Sequence, residues 1–160
     1  IPYVVVVRSI MYLMMVTRSY LAHDLGVVRS NLSNPRRKLW EAVKHILKYL
    51  RGTKDVQLTF GSANPTKIEG YTNSDYVGNS DNRKSTSSYI FNHGGGAISW
   101  RSKFQECTTL STTKAEYIAA SEVAKETIWL HRLTSDFSTT SQIEQPAPTI
   151  YNNSQYIPQQ

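Results

Sequence analysis

The spacing of apolar residues divides the chain into a helical first third and a strand-rich remainder. The first 24 residues are mostly apolar, and we predict a helix over Ile10–Leu21 within them. A polar loop over residues 30–35 follows, and a second helix is predicted over Leu39–Leu50, because apolar residues recur there at the spacing of one helical face. Lys44 and Lys48 fall on another face of this helix. The apolar positions are Leu39, Val43, Ile46, Leu47 and Leu50.

Short segments of alternating apolar and polar residues predict a β-sheet in the remainder. Val56–Phe60 has this pattern and is followed by a glycine, so we predict a strand there. Three further strands are predicted over Ile68–Val77, Thr86–Asn92 and Ala97–Arg101. His93–Gly96 joins the last two, because its glycines readily adopt the positive φ angles of a tight turn. These three strands predict an antiparallel meander.

A long helix and one more strand complete the pattern. The helix is predicted from Thr112 or Thr113 to Leu133, with Thr113 and Glu116 in the positions of a capping box. Pro148–Tyr151 is predicted to begin a fourth strand of the sheet. The tryptophans predicted to lie in the core are Trp100 and Trp129.

The charge of the chain is positive and unevenly distributed. The 160 residues carry a net charge of +6, yet residues 1–55 contain ten Lys and Arg against three acidic residues. A basic segment predicts an anionic partner, with nucleic acid ahead of a membrane. The alternative is a set of solvated helix faces, which a charge of this size also permits. A hydrophobic content of 39% is sufficient for a core, so we do not expect a disordered chain.

Composition excludes some classes of site. Cys107 is the only cysteine, so the chain has no internal disulfide and no cysteine-based zinc site, and we expect its side chain to be a small buried hydrophobe. Arg8 interrupts the apolar residues 4–16 and no cleavage pattern follows, so we predict neither a signal peptide nor a membrane span. The chain does not begin with Met, and we expect it to be cut from something longer.

One polar cluster falls in a predicted strand, where packing alone does not require it. The cluster is Asn73-Ser74-Asp75, and the first turn of the long helix carries Glu116. A strand-borne acid facing a helix-borne Glu is an arrangement that holds divalent metal over a phosphodiester. Glu116 also has a simpler interpretation as the partner of a helix cap. The two interpretations are compatible.

Four motifs follow one another in order through the middle of the chain. They are Gly70–Tyr76, Asp81–Ser87, Gly95–Lys103 and Leu110–Tyr117. Together they resemble the ribonuclease H domain of copia-type LTR retrotransposon Pol polyproteins. Upstream, residues 9–13, 17–18 and 40–53 are similar to the end of the reverse transcriptase that precedes this domain. The resemblance divides the chain into a helical reverse-transcriptase tail, residues 1–55, and an incomplete ribonuclease H-like domain, residues 56–160.

The resemblance implies an α/β fold and an activity. The fold is a mixed sheet with an antiparallel three-stranded meander, a long helix and the start of a fourth, parallel strand, truncated at its C-terminal end. The activity is hydrolysis of the RNA strand of an RNA–DNA hybrid by two Mg²⁺ or Mn²⁺ ions, about 3.5–4 Å apart, held by Asp and Glu side chains. The implied partners are the hybrid and the rest of a Pol polyprotein, in an intracellular setting without a membrane.

This sequence departs from the metal-binding pattern of the family. Asn73 stands at the family's first Asp position and Asn153 at the acid of the fourth strand, while the family's last acid would lie beyond the end of the chain. Glu116 alone is retained. Asp75 shares a strand face with Asn73 but lies ~6.5 Å further along, which makes it a weak metal ligand at most. We therefore expect metal binding to be weak or absent and this chain to be inactive.

The resemblance leaves two other functions open. A chain that keeps the fold could bind nucleic acid without cleaving it, through its basic first third. It could also be a structural remnant without a partner. Lys84, Ser85 and Thr86 could contact a backbone phosphate of the hybrid, or form an ordinary solvated turn.

Overall fold

The computed structural model describes residues 2–29, 32, 36–61, 67–76, 83–138 and 146–152. It divides the chain into two compact units, residues 1–58 and 59–160. The loop predicted over residues 30–35 lies mostly outside the described residues, and so does Val77 at the end of a predicted strand.

The first unit is helical. α1 spans Tyr3–Val16, a 3₁₀ turn spans Ser19–Leu21, α2 spans Ala22–Arg29 and α3 spans Arg37–Gly52. The bounds predicted for the first helix are wrong, because it begins seven residues earlier and the chain leaves the helical conformation at Thr17, with φ −144°. Burial of one side of α1 outweighs the weak helix propensity of its valines. None of the described helices combines the length and the apolar content that crossing a bilayer requires.

Residues from all three helices meet in the core of the first unit. Tyr3 packs its ring 5.8 Å from that of Trp40 and donates a hydrogen bond to the carbonyl of Val28 at 3.0 Å, which ties the helices together. Ile46 of α3 is buried, whereas Leu47, predicted for the same face, is 41% exposed. That prediction is wrong because successive helical residues point about 100° apart, and the packed stripe is narrower than the apolar pattern. The buried residues are Val7, Ile10, Leu21, Leu25, Val28, Val43 and Ile46.

The second unit contains a four-stranded sheet. Its strands are β1 (Ile68–Asp75), β2 (Thr86–His93), β3 (Gly96–Phe104) and β4 (Thr149–Asn152). Their order is β3-β2-β1-β4, with β2 antiparallel to β1 and β3, and β4 parallel to β1. The predicted α/β class, with an antiparallel meander and a parallel fourth strand, is confirmed.

Residues 56–60 do not form the strand predicted for them. Phe60 is 56% exposed and its ring lies beside Gly96, while the N–H of Gly61 donates to the carbonyl of Gly94 at 2.8 Å. Alternation of apolar and polar residues is a local pattern, but a strand also needs a neighbour that satisfies its backbone groups. The four strands of the sheet pair with one another and not with this segment.

The turn between β2 and β3 follows the prediction. Gly94 and Gly95 have φ angles of 58° and 82° and form a two-residue loop between His93 and Gly96. Positive φ at both central residues is the requirement of a type I′ turn, whose twist matches that of the flanking strands. Local backbone chemistry therefore decides the register of this hairpin.

α4 spans Thr112–Ser138 and covers one face of the sheet. Ile68 of β1 and Phe91 of β2 are buried against Val123 and Leu130 of the helix. The helix begins where it was predicted and extends five residues further than predicted. Its contact with β1 and β2 forms the core of the second unit.

Of three residues predicted to be buried, two are exposed and one is half-buried. Trp129 is 54% exposed, because it lies about 100° round the helix from the buried Leu130. Trp100 of β3 is half-buried. Cys107 is exposed, since it lies in the connection that follows β3 rather than within the strand.

Candidate metal and nucleic-acid site

The polar residues of β1 alternate between the two faces of the sheet. Thr72 is buried and its hydroxyl donates to a carbonyl of β2 at 3.3 Å. Ser74 is half-buried, whereas Asn73 and Asp75 are exposed. Because Ile68 packs against α4, strand alternation places Thr72 and Ser74 on the face that α4 covers and Asn73 and Asp75 on the opposite face.

The pairing with β2 agrees with this placement. Asn73 lies opposite Ser88 and Asp75 lies opposite Thr86. The hydroxyl of Ser88 donates to the backbone carbonyl of Asn73 at 3.4 Å. The amide of Asn73 and the carboxylate of Asp75 therefore lie on the sheet face that α4 does not cover, near the carboxyl end of β1.

The first turn of α4 is capped by a residue other than the one predicted. The hydroxyl of Ser111 accepts a hydrogen bond from the N–H of Lys114 at 3.3 Å, and its carbonyl accepts the first helical bond, from Ala115, at 3.2 Å. Thr113 lies inside the helix, so the predicted capping box with Glu116 is wrong. Glu116 is half-buried, and among the described residues its carboxylate has no hydrogen-bond or ion-pair partner. It is not needed to cap the helix.

Gln105 connects the start of α4 to the sheet. Its side chain is 2% exposed, and its amide nitrogen donates to the hydroxyl of Ser87 at 2.9 Å and to the carbonyl of Ala115 at 2.8 Å. Since only the NH₂ end of the amide can donate to a carbonyl, the contact with Ala115 determines the orientation of the side chain. Ser87 lies opposite Ser74, so this contact brings the residue after Ala115, which is Glu116, to the carboxyl end of β1.

The same junction contains two polar atoms without a partner among the described residues. They are the hydroxyl oxygen of Ser74 and the side-chain carbonyl oxygen of Gln105. Leaving a buried polar group unpaired costs about 1–3 kcal/mol. The sequence analysis did not identify Gln105, because a single glutamine after a strand has no pattern that distinguishes it from a surface residue.

The donor set at this end of the sheet does not suit two divalent ions. Glu116 comes from the helix, Asp75 from the sheet face that α4 does not cover, and Asn73 contributes only a neutral amide. Within the described residues no three His, Cys, Asp or Glu side chains lie together as a metal site requires. Two Mg²⁺ ions need several anionic oxygens to replace their water. Asn153, predicted at a further ligand position, lies outside the described residues.

The residues predicted to contact phosphate lie at the start of β2, and two of the three are buried. Ser85 is fully buried, with its hydroxyl 2.9 Å from that of Thr109, and Thr86 is also buried. Lys84 is half-buried and donates to the carbonyl of Glu106 at 3.0 Å. These contacts hold the start of β2 against the connection to α4, and a phosphate contact through Lys84 stays a prediction.

The connection after β3 also carries an ion pair. Lys103 donates to the carboxylate of Glu106 at 3.0 Å, and this hydrogen bond, with the positive charge of Lys103, holds the pKa of Glu106 below its ordinary value. Both side chains are well exposed, so solvent screens the pair and its effect on stability is small.

A separate basic surface lies on α3 in the first unit. Arg37 is 3.8 Å from Glu41, an exposed pair that contributes little. Arg18, which precedes the 3₁₀ turn, is engaged by the hydroxyl of Tyr20 at 2.8 Å and the carbonyl of Thr53 at 3.0 Å. The exposed cations of α3 are Arg37, Lys38, Lys44, Lys48 and Arg51.

These features define an α/β protein whose mixed sheet is covered by one long helix, with one helix-borne carboxylate near the end of β1. No family model matches the chain, and no solved structure gives a significant match. Over 155 residues the chain is 49% identical to the retrovirus-related Pol polyprotein from transposon TNT 1-94 of Nicotiana tabacum. Over 146 residues it is 32% identical to the corresponding polyprotein from transposon RE2 of Arabidopsis thaliana. These alignments cover 97% and 91% of this chain but 11% and 10% of the polyproteins.

Another relative is covered over nearly its whole length. The chain is 44% identical over 130 residues to secreted RxLR effector protein 161 of Plasmopara viticola, which is 81% of this chain and 92% of that protein. The chain is homologous to retrovirus-related Pol polyproteins of plant transposons and corresponds to about a tenth of their length. The predicted relationship to these polyproteins is confirmed. The assignment of residues 1–55 to a reverse transcriptase and of residues 56–160 to a ribonuclease H domain stays a prediction.

Proposed function

We propose that the second unit is a ribonuclease H-like module of a retrotransposon Pol polyprotein and that the first unit is the end of a reverse transcriptase. We further propose that this chain does not hydrolyse RNA–DNA hybrids at a useful rate. The order of meander, long helix and parallel fourth strand supports the fold assignment. The similarity to Pol polyproteins supports the setting.

The observation that carries the loss of activity is the shortage of negative charge at the end of β1. Glu116 is half-buried at the start of α4, and the nearest equivalent on the strand is the amide of Asn73. An amide oxygen can hold a water or one weakly bound ion, but it does not offset the cost of dehydrating two Mg²⁺ ions. Asp75 lies two residues further along, ~6.5 Å away, which exceeds the ~4 Å separation of ions in a two-metal site.

A labelled RNA–DNA hybrid tests this proposal directly. We expect no cleavage above the buffer background in Mg²⁺ or Mn²⁺, and no change in Glu116→Ala. The matched control is Glu122→Ala, which removes another half-buried carboxylate of α4. Turnover that disappears in Glu116→Ala and persists in Glu122→Ala would show that the chain is an active nuclease.

A metal titration followed by thermal unfolding separates binding from catalysis. We expect millimolar Mg²⁺ to leave the melting temperature of the wild-type chain unchanged, because a ligand stabilises only a state that binds it. Asn73→Asp adds a strand carboxylate on the sheet face that α4 does not cover, so we expect that this variant also gains no stabilisation by Mg²⁺ that depends on Glu116. Stabilisation of the wild type that Glu116→Gln abolishes would contradict the proposal.

A second candidate function is nucleic-acid binding without cleavage, and the exposed cations of α3 favour it. Lys44 and Lys48 lie one turn apart on the exposed side of the helix, away from the buried Val43 and Ile46. Binding through such cations falls steeply with salt, because each neutralised phosphate releases counterions. We expect Lys44→Glu/Lys48→Glu to weaken binding of an RNA–DNA hybrid at low salt. Affinity that does not change with salt would exclude this function.

A further inference from the structure

The outer side of α4 carries a surface that neither proposed function uses. Ala115, Ala119 and Val123 mark the side of the helix that is buried. Tyr117 lies on the opposite side and is 78% exposed, and Trp129, on the flank of the helix about 100° from the buried Leu130, is 54% exposed. Large aromatic residues exposed on one side of a helix commonly mark an interaction site. We call this side of α4 the outer stripe; its residues are Lys114, Tyr117, Lys125, Ile128, Trp129 and Arg132.

The three cations of the outer stripe lie in one line along the helix. Lys125 follows Lys114 by 11 residues and Arg132 follows Lys125 by seven, close to three and two full turns of 3.6 residues each. At 1.5 Å per residue, the line is ~27 Å long. All three side chains are exposed, and among the described residues none of them forms a salt bridge.

The acidic residues of α4 leave this line positive. Glu116, Glu122 and Glu126 are half-buried, and Glu126 accepts a hydrogen bond from the hydroxyl of Ser99 on β3 at 2.6 Å. Asp136 is exposed in the last turns of the helix, one turn beyond the final cation of the line. Glu122 lies three residues before Lys125, so the outer stripe presents three positive charges against the half-buried Glu122 at its margin and Asp136 at its end.

The aromatic rings lie between or beside the cations. Trp129 is four residues after Lys125 and three before Arg132, so the three side chains are neighbours on the helix surface. Tyr117 lies three residues after Lys114, which also makes these two side chains neighbours. An acidic peptide would match the cations alone, and an apolar partner would match the rings alone. A single-stranded nucleic acid matches both, because its phosphates pair with cations and its unpaired bases stack on aromatic rings.

We propose that the outer stripe binds single-stranded nucleic acid, with the backbone along the line of cations and a base stacked on Trp129. The surface is formed by exposed residues of α4 alone, so this inference does not depend on hybrid cleavage or on the cations of α3. Binding of this kind is tolerant of sequence, because every base has a face that can stack.

Fluorescence anisotropy with a labelled oligothymidylate tests the proposal on the full chain. We expect Trp129→Ala to weaken binding about tenfold and Trp129→Phe to retain most of the affinity, since phenylalanine keeps a ring. Lys125→Glu/Arg132→Glu should weaken binding at low salt and reduce the slope of log affinity against log salt by about two. All these side chains are exposed, so the melting temperature should not change and loss of folding can be separated from loss of binding.

The matched control removes the same number of cations from the first unit. Lys44→Glu/Lys48→Glu should leave oligothymidylate binding close to wild type, even if it weakens hybrid binding. Wild-type affinity in the Trp129→Ala and Lys125→Glu/Arg132→Glu variants would overturn the inference. Equal losses in both double variants, or equal affinity for an acidic peptide of the same length, would also overturn it, because either result indicates general electrostatic attraction.

Discussion

Two glycines of the second unit offer a test of how the core tolerates an added methyl group. A Cβ built on Gly70 of β1 would lie 2.5 Å from Cε1 of Phe91, and a Cβ on Gly96 of β3 would lie 2.5 Å from Cε1 of Phe60. Favourable contacts between carbon atoms begin near 3.5 Å, so each ring must move by about 1 Å. The overlap is the same in both cases, and only the freedom of the ring differs.

The expected costs differ because the two rings have different surroundings. Phe91 is fully buried between β1 and α4, so in Gly70→Ala its ring can move only by displacing the core, which typically costs about 1–3 kcal/mol. Phe60 is 56% exposed and lies outside any strand, so in Gly96→Ala its ring can turn into solvent. We expect Gly96→Ala to change the free energy of unfolding by less than about 1 kcal/mol.

Thermal unfolding followed by circular dichroism measures both variants. For a unit of about 100 residues, 1 kcal/mol corresponds to a shift of roughly 4–8 °C, so Gly70→Ala should lower the melting temperature of the second unit by roughly 4–24 °C. Adding Phe91→Leu to Gly70→Ala should recover part of this loss, because the branched side chain can pack beside the new methyl group. Equal shifts for Gly70→Ala and Gly96→Ala would refute the reasoning.

Three further changes test contacts of the second unit. Gln105→Leu leaves the carbonyl of Ala115 without its donor, so it should lower the free energy of unfolding in urea by about 1–3 kcal/mol. The control Gln57→Leu changes an exposed glutamine and should leave this free energy almost unchanged. Equal losses in the two variants would show that Gln105 does not connect α4 to the sheet. Ser111→Ala should cost about 0.5–2 kcal/mol and Thr113→Ala much less, and the reverse order would restore the predicted cap. Burial raises the pKa of Tyr89 above its ordinary value of 10.0, so the folded state holds this proton more tightly than the unfolded state. The stability that this proton contributes is complete below pH 10.0 and is lost as the pH rises through the pKa of the folded state. We therefore expect Tyr89→Phe to reduce the fall of the melting temperature at alkaline pH. The same fall in the variant and the wild type would contradict this prediction.

Elements governed by neighbouring residues were predicted well from the sequence. The hairpin between β2 and β3 depends on Gly94 and Gly95, whose positive φ angles are a local requirement of the turn. The long helix of the second unit needs only good helix formers and the absence of breakers. The relationship to Pol polyproteins also follows from residues read in order, because motif order does not depend on packing.

Several predictions that depended on a distant partner failed, although the pairing of the four strands was predicted correctly. Residues 56–60 alternate as a strand does, but they do not pair with any of the four strands of the sheet. Trp129 does not lie in the predicted core, because the rotation of α4 on the sheet decides which of its residues are buried. The connecting role of Gln105 exists only where β2 and α4 meet, so nothing beside it in the chain predicts it.

By itself, the sequence determined the hairpin between β2 and β3 and the long helix, and it places an amide, Asn73, where the proposed relationship to ribonuclease H implies a strand carboxylate. The tertiary structure decided which sheet face Asn73 and Asp75 occupy, which end of the sheet receives Glu116, and which side of α4 stays open to solvent. The physical reason is the range of the interactions. Backbone conformation and residue charge are properties of short segments, whereas burial and the pairing of buried polar groups depend on surfaces that only the folded chain brings together.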